Sequence, residues 1–547
     1  MRDLAAASPW LLSIVSLLAV ACADDGTNPF DTEPTAGPVT GDATSATTAT
    51  TGVDETATAT ATDDGPRLDL MLPDIGAAPS CEVVDDMSGI GPCTDVAPPD
   101  SFEPEVQWSW EGDGVMVQAI TIPLVANLTD DDGDGDVDLC DVPDVVVQAF
   151  ASYDGFLGAI YVLDGATGAV HWSSDPGIDA SFSPALGDID GDGLPEIVAV
   201  EHGAQHLLAF EHDGTPKWQS DQPWPDFGYS ALAIADLDGD GSPEILADNL
   251  VFDAQGQLVL ALGETTITGW GNATTAADLD GDGDLEIVLG RSAFHHDGSV
   301  YYSTMIVPTG YPQVANLDDD PEPEVLVQSY DGLTILEHDG SVKVAGLRPT
   351  GVVADGTSWV RPATVHDFDG DELAEFASSS GGIYSLYEAN ASIIWTADVM
   401  DVTGSAAGTA FDFLGDGEAE AMYADERTLF VFDGDGLALL GVPRSSGTLQ
   451  EYPVVADVDN DGSAEILVVS NEGWFANQSA PTLQVIRDVG DRWVPARRIW
   501  NQHTYHVTNV REDGTIPLQE PRHWELLNTF RTQAQIEAGG LCQPPVG

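Results

Sequence analysis

Eight short acidic loops punctuate the chain between Asp130 and Glu465, and three of them read DIDGDGLPE (Asp188 to Glu196), DLDGDGSPE (Asp236 to Glu244) and DLDGDGDLE (Asp278 to Glu286). Carboxylates at loop positions 1, 3, 5 and 9 can close on one hard cation, position 7 offers a backbone carbonyl, and glycines at 4 and 6 permit the sharp turn. Asp and Gly also build ordinary turns. Four carboxylates recurring at the same offsets, however, repel one another strongly unless a cation sits among them. Ligands that are all oxygen favour Ca²⁺.

Four copies carry a full set. They are Asp188, Asp190, Asp192 and Glu196 with the Leu194 carbonyl; Asp236, Asp238, Asp240 and Glu244 with Ser242; Asp278, Asp280, Asp282 and Glu286 with Asp284; and Asp457, Asp459, Asp461 and Glu465 with Ser463. The first copy, Asp130, Asp132, Asp134 and Asp138, also has four carboxylates and is followed by an insertion. The sixth, Asp367, Asp369, Asp371 and Glu375, places Glu372 where a glycine tolerates positive φ, which predicts weaker binding. The fifth (Asn316, Asp318, Asp320, Glu324) has Pro321 at position 6, and the seventh, from Asp412, has Leu414 at position 3, so these two are the weakest candidates for an ion. The acid that an EF-hand needs at position 12 is replaced by Ala199, Ala247, Leu289 and Val468, which makes the loop a nine-residue kind.

The elements that must hold these loops repeat with them. From the second copy onward the first ligands fall at 188, 236, 278, 316, 367, 412 and 457, a period centred in the forties. Each unit reads as an apolar strand, the loop, a second apolar strand, and two more strands separated by turn residues. Four strands per unit and eight units predict an all-β fold, an eight-bladed β-propeller over residues 105–500, in which closing the ring removes most sheet edges.

FGYSALAIADLDGDGSPEI (Phe227 to Ile245) resembles the FG-GAP repeat of integrin α-subunit propellers, and YPVVADVDNDGSAEI (Tyr452 to Ile466) resembles the related VCBS repeat of bacterial surface proteins. The resemblance implies the propeller fold and its Ca²⁺ loops. It does not carry over integrin partner surfaces, because most units lack the Phe-Gly pair and integrin propellers have seven blades. Trp172, Trp218 and Trp395 end outer strands in phrases such as LDGATGAVHW, which resembles the repeat of quinoprotein propellers. With no adjacent cysteine pair, packing between blades is the favoured role for these rings.

Composition narrows the partners. With 93 acidic against 16 basic residues and a formal charge of −77, nucleic acid and anionic lipid are disfavoured. Seven of the sixteen basic residues, Arg487, Arg492, Arg497, Arg498, Arg511, Arg522 and Arg531, crowd the C-terminal part, which is expected to dock on the acidic ring. At the other end, Arg2 and an apolar run from Trp10 to Ala21 predict a signal segment over 1–21 and export. Cys22 after LAVA resembles a bacterial lipobox and predicts a lipid anchor, followed by a disordered Thr/Ala/Asp-rich linker through residue 66 and a cysteine-containing segment over 67–104. Membrane attachment is expected through that anchor alone.

The remaining cysteines, Cys81, Cys93, Cys140 and Cys542, are even in number in an exported chain. Proximity suggests Cys81 with Cys93 and Cys140 with Cys542, the other connectivities staying open. The segment after the repeats, a cap over 501–547, gathers His503, Tyr505, His506 and His523. A transition-metal or catalytic role for them is weighed against hydrogen bonding inside the cap, which is favoured because no acidic or cysteine spacing accompanies them. Residues 521–536 read as an amphipathic helix with Trp524, Leu527 and Ala534 on one face.

No nucleophile elbow, P-loop or HExxH motif occurs. The expected function is therefore a non-catalytic module at the cell envelope that binds an extracellular or envelope protein or a glycan. The alternative is a glycan-active enzyme such as a polysaccharide lyase, some of which are eight-bladed propellers with similar calcium loops. Such an enzyme needs a base, commonly Lys, Tyr, His or Arg, in a cleft for acidic sugar; this chain has two lysines, Lys217 and Lys343, and a charge that repels polyuronate.

Overall fold

Alternating apolar runs bounded by Gly and Asp turns fold into short antiparallel strands, and the computed structural model arranges them in eight sheets of four strands, the first of which gains a fifth short strand. It describes residues 81, 87, 90–98, 101–226, 228–263, 271–318, 320–329, 331–348, 362–380, 382–401, 406–472 and 480–545. The signal segment, Cys22 and the linker lie outside them.

The second sheet shows the repeat. Ala185–Gly187 leads into the acidic loop, Glu196–Val200 returns from it, and His206–Phe210 and Pro216–Pro223 complete the sheet. The first three strands are mostly buried on both faces while the fourth is mostly exposed, so apolar cores lie between successive sheets. Seven sheets are built from consecutive segments. The eighth is not: Val454–Ala456, Glu465–Val469 and Leu483–Asp488 take their outer strand from Pro104–Trp110, near the other end of the described chain.

An aromatic in the fourth strand of several sheets explains how neighbouring sheets register. A side chain at Gly214 would collide with the Trp172 ring of the first sheet, one at Gly256 with Trp218 of the second, and one at Gly436 with Trp395 of the sixth. Indole N–H groups donate across the same contacts, Trp172 to His212 O at 3.1 Å and Trp218 to Ala254 O at 2.9 Å. The expected packing role of Trp172, Trp218 and Trp395 is what the structure contains. Trp108 makes the same contact from the eighth sheet onto Gly168 of the first, with its N–H on Gly165 O at 2.6 Å, so the succession closes on itself.

After the last sheet the chain runs once past the first strand of every sheet, in order. Trp500 pairs with Val125, Asn501 O accepts from Leu186 N, Gln502 Oε1 accepts from Ile234 N, and Thr504 Oγ1 donates to Thr274 O. Further along, a ring nitrogen of His523 meets Val314 O, Phe530 pairs with Val365, Arg531 O accepts from Thr409 Oγ1, and Gln533 Nε2 donates to Val455 O. Each first strand would otherwise present an unpaired edge, and this segment supplies its hydrogen bonds. Among the seven C-terminal arginines the attachment is less electrostatic than expected. Arg522 reaches a loop carboxylate, Asp278, whereas Arg497 and Arg531 are buried on backbone carbonyls.

Two expectations are corrected. Helix forms only at His523–Leu526, not over 521–536. Asn528 and Arg531 adopt φ of 51° and 56°, which ends the helix, and the chain then leaves to pair with Val365 and Asn316. The disulfides join Cys81 to Cys140 and Cys93 to Cys542. Closeness in sequence misled because Gly91–Pro92 runs beside Gly540–Gln543 in a small sheet, which brings Cys93 to the C-terminus.

Candidate functional site

All eight loops share one backbone clamp. The residue that opens the second strand turns its carboxylate back over the loop and accepts the N–H of the second loop residue. The pairs are Ile189 to Glu196 at 3.0 Å, Leu237 to Glu244 at 3.0 Å, Leu279 to Glu286 at 2.8 Å, Leu317 to Glu324 at 2.6 Å, Phe368 to Glu375 at 2.8 Å, Phe413 to Glu420 at 3.0 Å and Val458 to Glu465 at 2.9 Å. The first-position aspartate accepts amides from inside the turn, as Asp188 does from Gly191 and Gly193 at 2.7 and 2.9 Å. Those amides engage both oxygens of Asp188. In the sixth loop Glu372 takes the left-handed conformation its glycine counterparts use, with φ of 70°.

The first copy differs from its expected register. By strand position, Asn127 occupies position 1 and Asp144 position 9, with Leu128 N–H on Asp144 Oδ2 at 2.9 Å. Asp130, Asp132 and Asp134 lie in the insertion between them and form a second turn of their own, Asp130 accepting from Gly133 and Gly135 at 2.8 and 3.0 Å. Its closing acid is Asp141, twelve residues into the loop, which is buried and accepts from Asp131, Asp132 and Asp138. Asp138, expected as the ninth-position ligand, instead accepts from Cys140 N. The first loop therefore closes on its twelfth residue, Asp141, rather than its ninth.

Burial strains these carboxylates electrostatically. Desolvation pushes Glu196, Glu244 and Glu286 up to about 7 and Glu375 up to about 8, only partly offset by the clamp amide. In the eighth loop, desolvation and the neighbouring Asp461 and Asp459 raise Asp457 to about 8, and Glu465 rises well above the usual range. Asp457 Oδ1 and Glu465 Oε1 are both buried without a hydrogen-bond partner. Converging acceptors with no donor are what a bound divalent cation satisfies, and its charge reverses the shift. The donor set thus fits a hard ion.

Sequence reasoning missed the internal cations. The residue before the fourth-strand aromatic reaches back over its own loop. Lys217 Nζ sits on Asp190 at 2.5 Å, Glu196 at 3.0 Å and Glu211 at 3.0 Å. At the equivalent place in the fifth sheet, Lys343 binds Asp318, Glu324 and Glu337. Gln107 donates to Asp459 at 2.6 Å, and His171 lies 3.5 Å from Asp144. The fourth loop holds Arg522 on Asp278 at 3.0 Å and His295 on Glu286 at 2.9 Å. Among the described residues no cationic side chain pairs with a carboxylate of the third, sixth, seventh or eighth loop. The adjacency of Lys217 to Trp218, in the same phrase as His171 to Trp172, was the available signal.

One acidic loop per sheet, each at the turn from first to second strand, defines a β-propeller-like repeat protein. Residues 188–247 match the FG-GAP-like repeat and residues 270–303 the FG-GAP repeat. The chain thus contains FG-GAP-type repeats. Its fold is similar to that of the V. cholerae biofilm matrix protein Bap1, with a TM-score of 0.71 and 21% identity over 81% of this chain and 100% of that one. It is also similar to the exotype rhamnogalacturonan lyase YesX (TM-score 0.50, 17% identity, 82% and 83% of the two chains) and the rhamnogalacturonan lyase YesW (0.50, 18%, 82% and 84%). At these identities the likeness concerns the fold alone. No curated protein matches the sequence. Among the described residues no helix is long and apolar enough to cross a membrane.

Proposed function

We propose that the chain is an exported, calcium-stabilised eight-bladed β-propeller that binds a protein or glycan at the cell envelope and does no chemistry on it. The observation that carries the reading is the repeated loop clamp with its partnerless buried oxygens in the eighth loop. Ca²⁺ would be held there by Asp457, Asp459, Asp461, Glu465 and the Ser463 carbonyl. In the third loop it would be held by Asp236, Asp238, Asp240, Glu244 and the Ser242 carbonyl. The sixth loop offers Asp367, Asp369, Asp371 and Glu375, the fourth offers Asp278, Asp280, Asp282 and Glu286 in competition with Arg522, and the first offers Asp130, Asp132, Asp134 and Asp141. The bound ion supplies charge neutralisation and a rigid turn, the properties of a scaffold that presents connecting loops.

Five of the groups a lyase could draw on are engaged elsewhere. Both lysines are held by loop carboxylates, and His503, Tyr505 and His506 are buried in the cap. A charge of −77 favours a neutral glycan or a basic protein patch over polyanions, with attraction weakening as salt rises. Lipidation at Cys22 would place the module on a membrane surface. The test is to incubate the purified chain, with Ca²⁺ and with EGTA, on arrays of neutral and acidic polysaccharides while following both retention and unsaturated products. Calcium-dependent retention without product is expected. Release of unsaturated sugar would replace this reading with the enzyme.

A further inference from the structure

Away from the acidic loops, three ligand-bearing side chains converge inside the C-terminal segment. One ring nitrogen from each of His506 and His523 and a carboxylate oxygen of Glu520 all lie within 4.8 Å of one another. The two histidines are each 1% exposed and the Glu520 side chain 7%. Glu520, fourteen residues beyond His506, is the acid that the local sequence around the histidines lacked.

The hydrogen bonds specify which nitrogens are free. His506 Nδ1 faces Thr504 O at 3.0 Å, and His523 Nε2 faces Val314 O at 2.8 Å. A carbonyl can only accept, so each of those nitrogens carries its ring's proton, and the opposite nitrogen of a neutral ring presents a lone pair. For His506 that is Nε2, which sits 2.6 Å from Glu520 Oε1, itself an acceptor. For His523 it is Nδ1, which is buried and has no hydrogen-bond partner.

Two acceptors at that separation need a proton between them, or a cation that both coordinate after moving apart to about 3 Å. A shared proton would serve the His506–Glu520 pair but would leave His523 Nδ1 desolvated and unpaired. A divalent metal answers all three groups at once. The surroundings match what imidazole ligands require: each ring is fixed in tautomer by a backbone carbonyl, Thr508 Oγ1 donates to Glu520 Oε1 at 3.0 Å, and Phe530 stacks on His506 at 5.4 Å between centroids.

We propose that His506, Glu520 and His523 form a transition-metal site of the zinc class, buried in the C-terminal segment and chemically separate from the acidic loops. Two imidazoles and one carboxylate select a borderline first-row ion such as Zn²⁺ or Co²⁺ over Ca²⁺, which takes oxygen ligands. Its place in the fold gives it a purpose. His506 and Glu520 belong to the segment that passes the first strands, and His523 is bonded to the fifth sheet through Val314, so the ion would pin that segment to the sheets.

The experiment loads the full chain with Co²⁺ in millimolar Ca²⁺, removes free metal by gel filtration, and reads metal content together with the visible d–d absorption. The wild type is expected to keep one equivalent with the intense band of a low-coordinate nitrogen and oxygen site, and His523→Gln and Glu520→Gln to lose it while Ca²⁺ content is unchanged. Zn²⁺ added to the cobalt form should bleach the band. A wild type that retains no Co²⁺ overturns the proposal irrespective of how the variants fold, as does a folded His523→Gln that retains metal and band in full.

Discussion

Lys217→Met is the most discriminating perturbation, because the second loop is complete in sequence yet already holds a cation of its own. The ammonium makes three carboxylate contacts at 2.5 to 3.0 Å with its side chain 15% exposed. Hydrogen bonds to Asp190, Glu196 and Glu211 raise its pKa even though burial opposes them. A Ca²⁺ that shares Asp190 and Glu196 with Nζ would lie about 4 Å from it, where a double and a single positive charge repel by about 8 kcal/mol at an effective dielectric of about 20. That exceeds what the lysine gains by staying, so the side chain must withdraw as the ion enters. The ion then binds with the lysine's net interaction lost, about 1.5–3 kcal/mol for charged hydrogen bonds.

Removing the ammonium should therefore tighten Ca²⁺ at this loop by about 10- to 100-fold. Calorimetric titration of the variant is expected to show one more tight equivalent than the wild type, and in EGTA its Tm should fall, since the loop carboxylates have then lost their only counter-ion. Lys343→Met is the control: Asn316 and Pro321 leave the fifth loop without a full ligand set, so no equivalent should appear there. Identical calcium isotherms for wild type and Lys217→Met would refute the reasoning.

Chelation should lower the Tm of the wild type, each loop filled at a hundred times its Kd contributing about 2.7 kcal/mol to the folded state. Asp457→Asn should remove one equivalent, read by calcium content after desalting, and unchanged Tm in EGTA would contradict the loop assignment. Trp108→Ala, which strips the contact joining the eighth sheet to the first, should cost about 3 kcal/mol in denaturant unfolding, far more than Val259→Ala on an exposed face. Peptide mapping without reduction should recover Cys81 linked to Cys140 and Cys93 linked to Cys542; a Cys81–Cys93 peptide would contradict the observed pairing.

The loops and the four-strand units were legible because everything that forms them is local. Asp and Gly spacings, the apolar runs on either side and the aromatic four residues after a turn glycine, as from Gly168 to Trp172 and from Gly214 to Trp218, all fall within one unit of sequence. What failed was long-range or depended on register. Nothing near Pro104 says that Pro104–Trp110 pairs with Leu483–Asp488, although Gln107-Trp108 repeats the His171-Trp172 and Lys217-Trp218 pattern and could have been aligned with it. Asp130 opens an acidic run that masks the strand positions held by Asn127 and Asp144, although the twelve-residue spacing from Asp130 to Asp141 is visible in the sequence. The helix expected over 521–536 had the apolar period, yet its residues are claimed by edge pairing with Val365 and Asn316, a tertiary demand that propensity cannot register.

The two ends of the described chain explain how a fold with so much acid is held together. In an open array each repeat contacts only its neighbours, and stability is a sum of local terms. Here Trp108 seals the last sheet to the first, and the C-terminal segment bonds every first strand in turn, so no sheet can open without exposing an edge that the segment had covered. Repulsion in any one loop is thereby opposed by the whole structure rather than by its own sheet. That lets the loops differ: some offer only oxygens, two are closed by lysine, and one carries arginine and histidine. The chain's only two lysines both sit on loop carboxylates, at equivalent strand positions. A lysine supplied by the chain neutralises a loop whatever the calcium level outside, whereas an ion-dependent loop does so only where calcium is plentiful. With calcium in the oxygen-only loops, as proposed, the graded set would keep part of the scaffold neutralised before calcium is met and reserve full rigidity for afterwards.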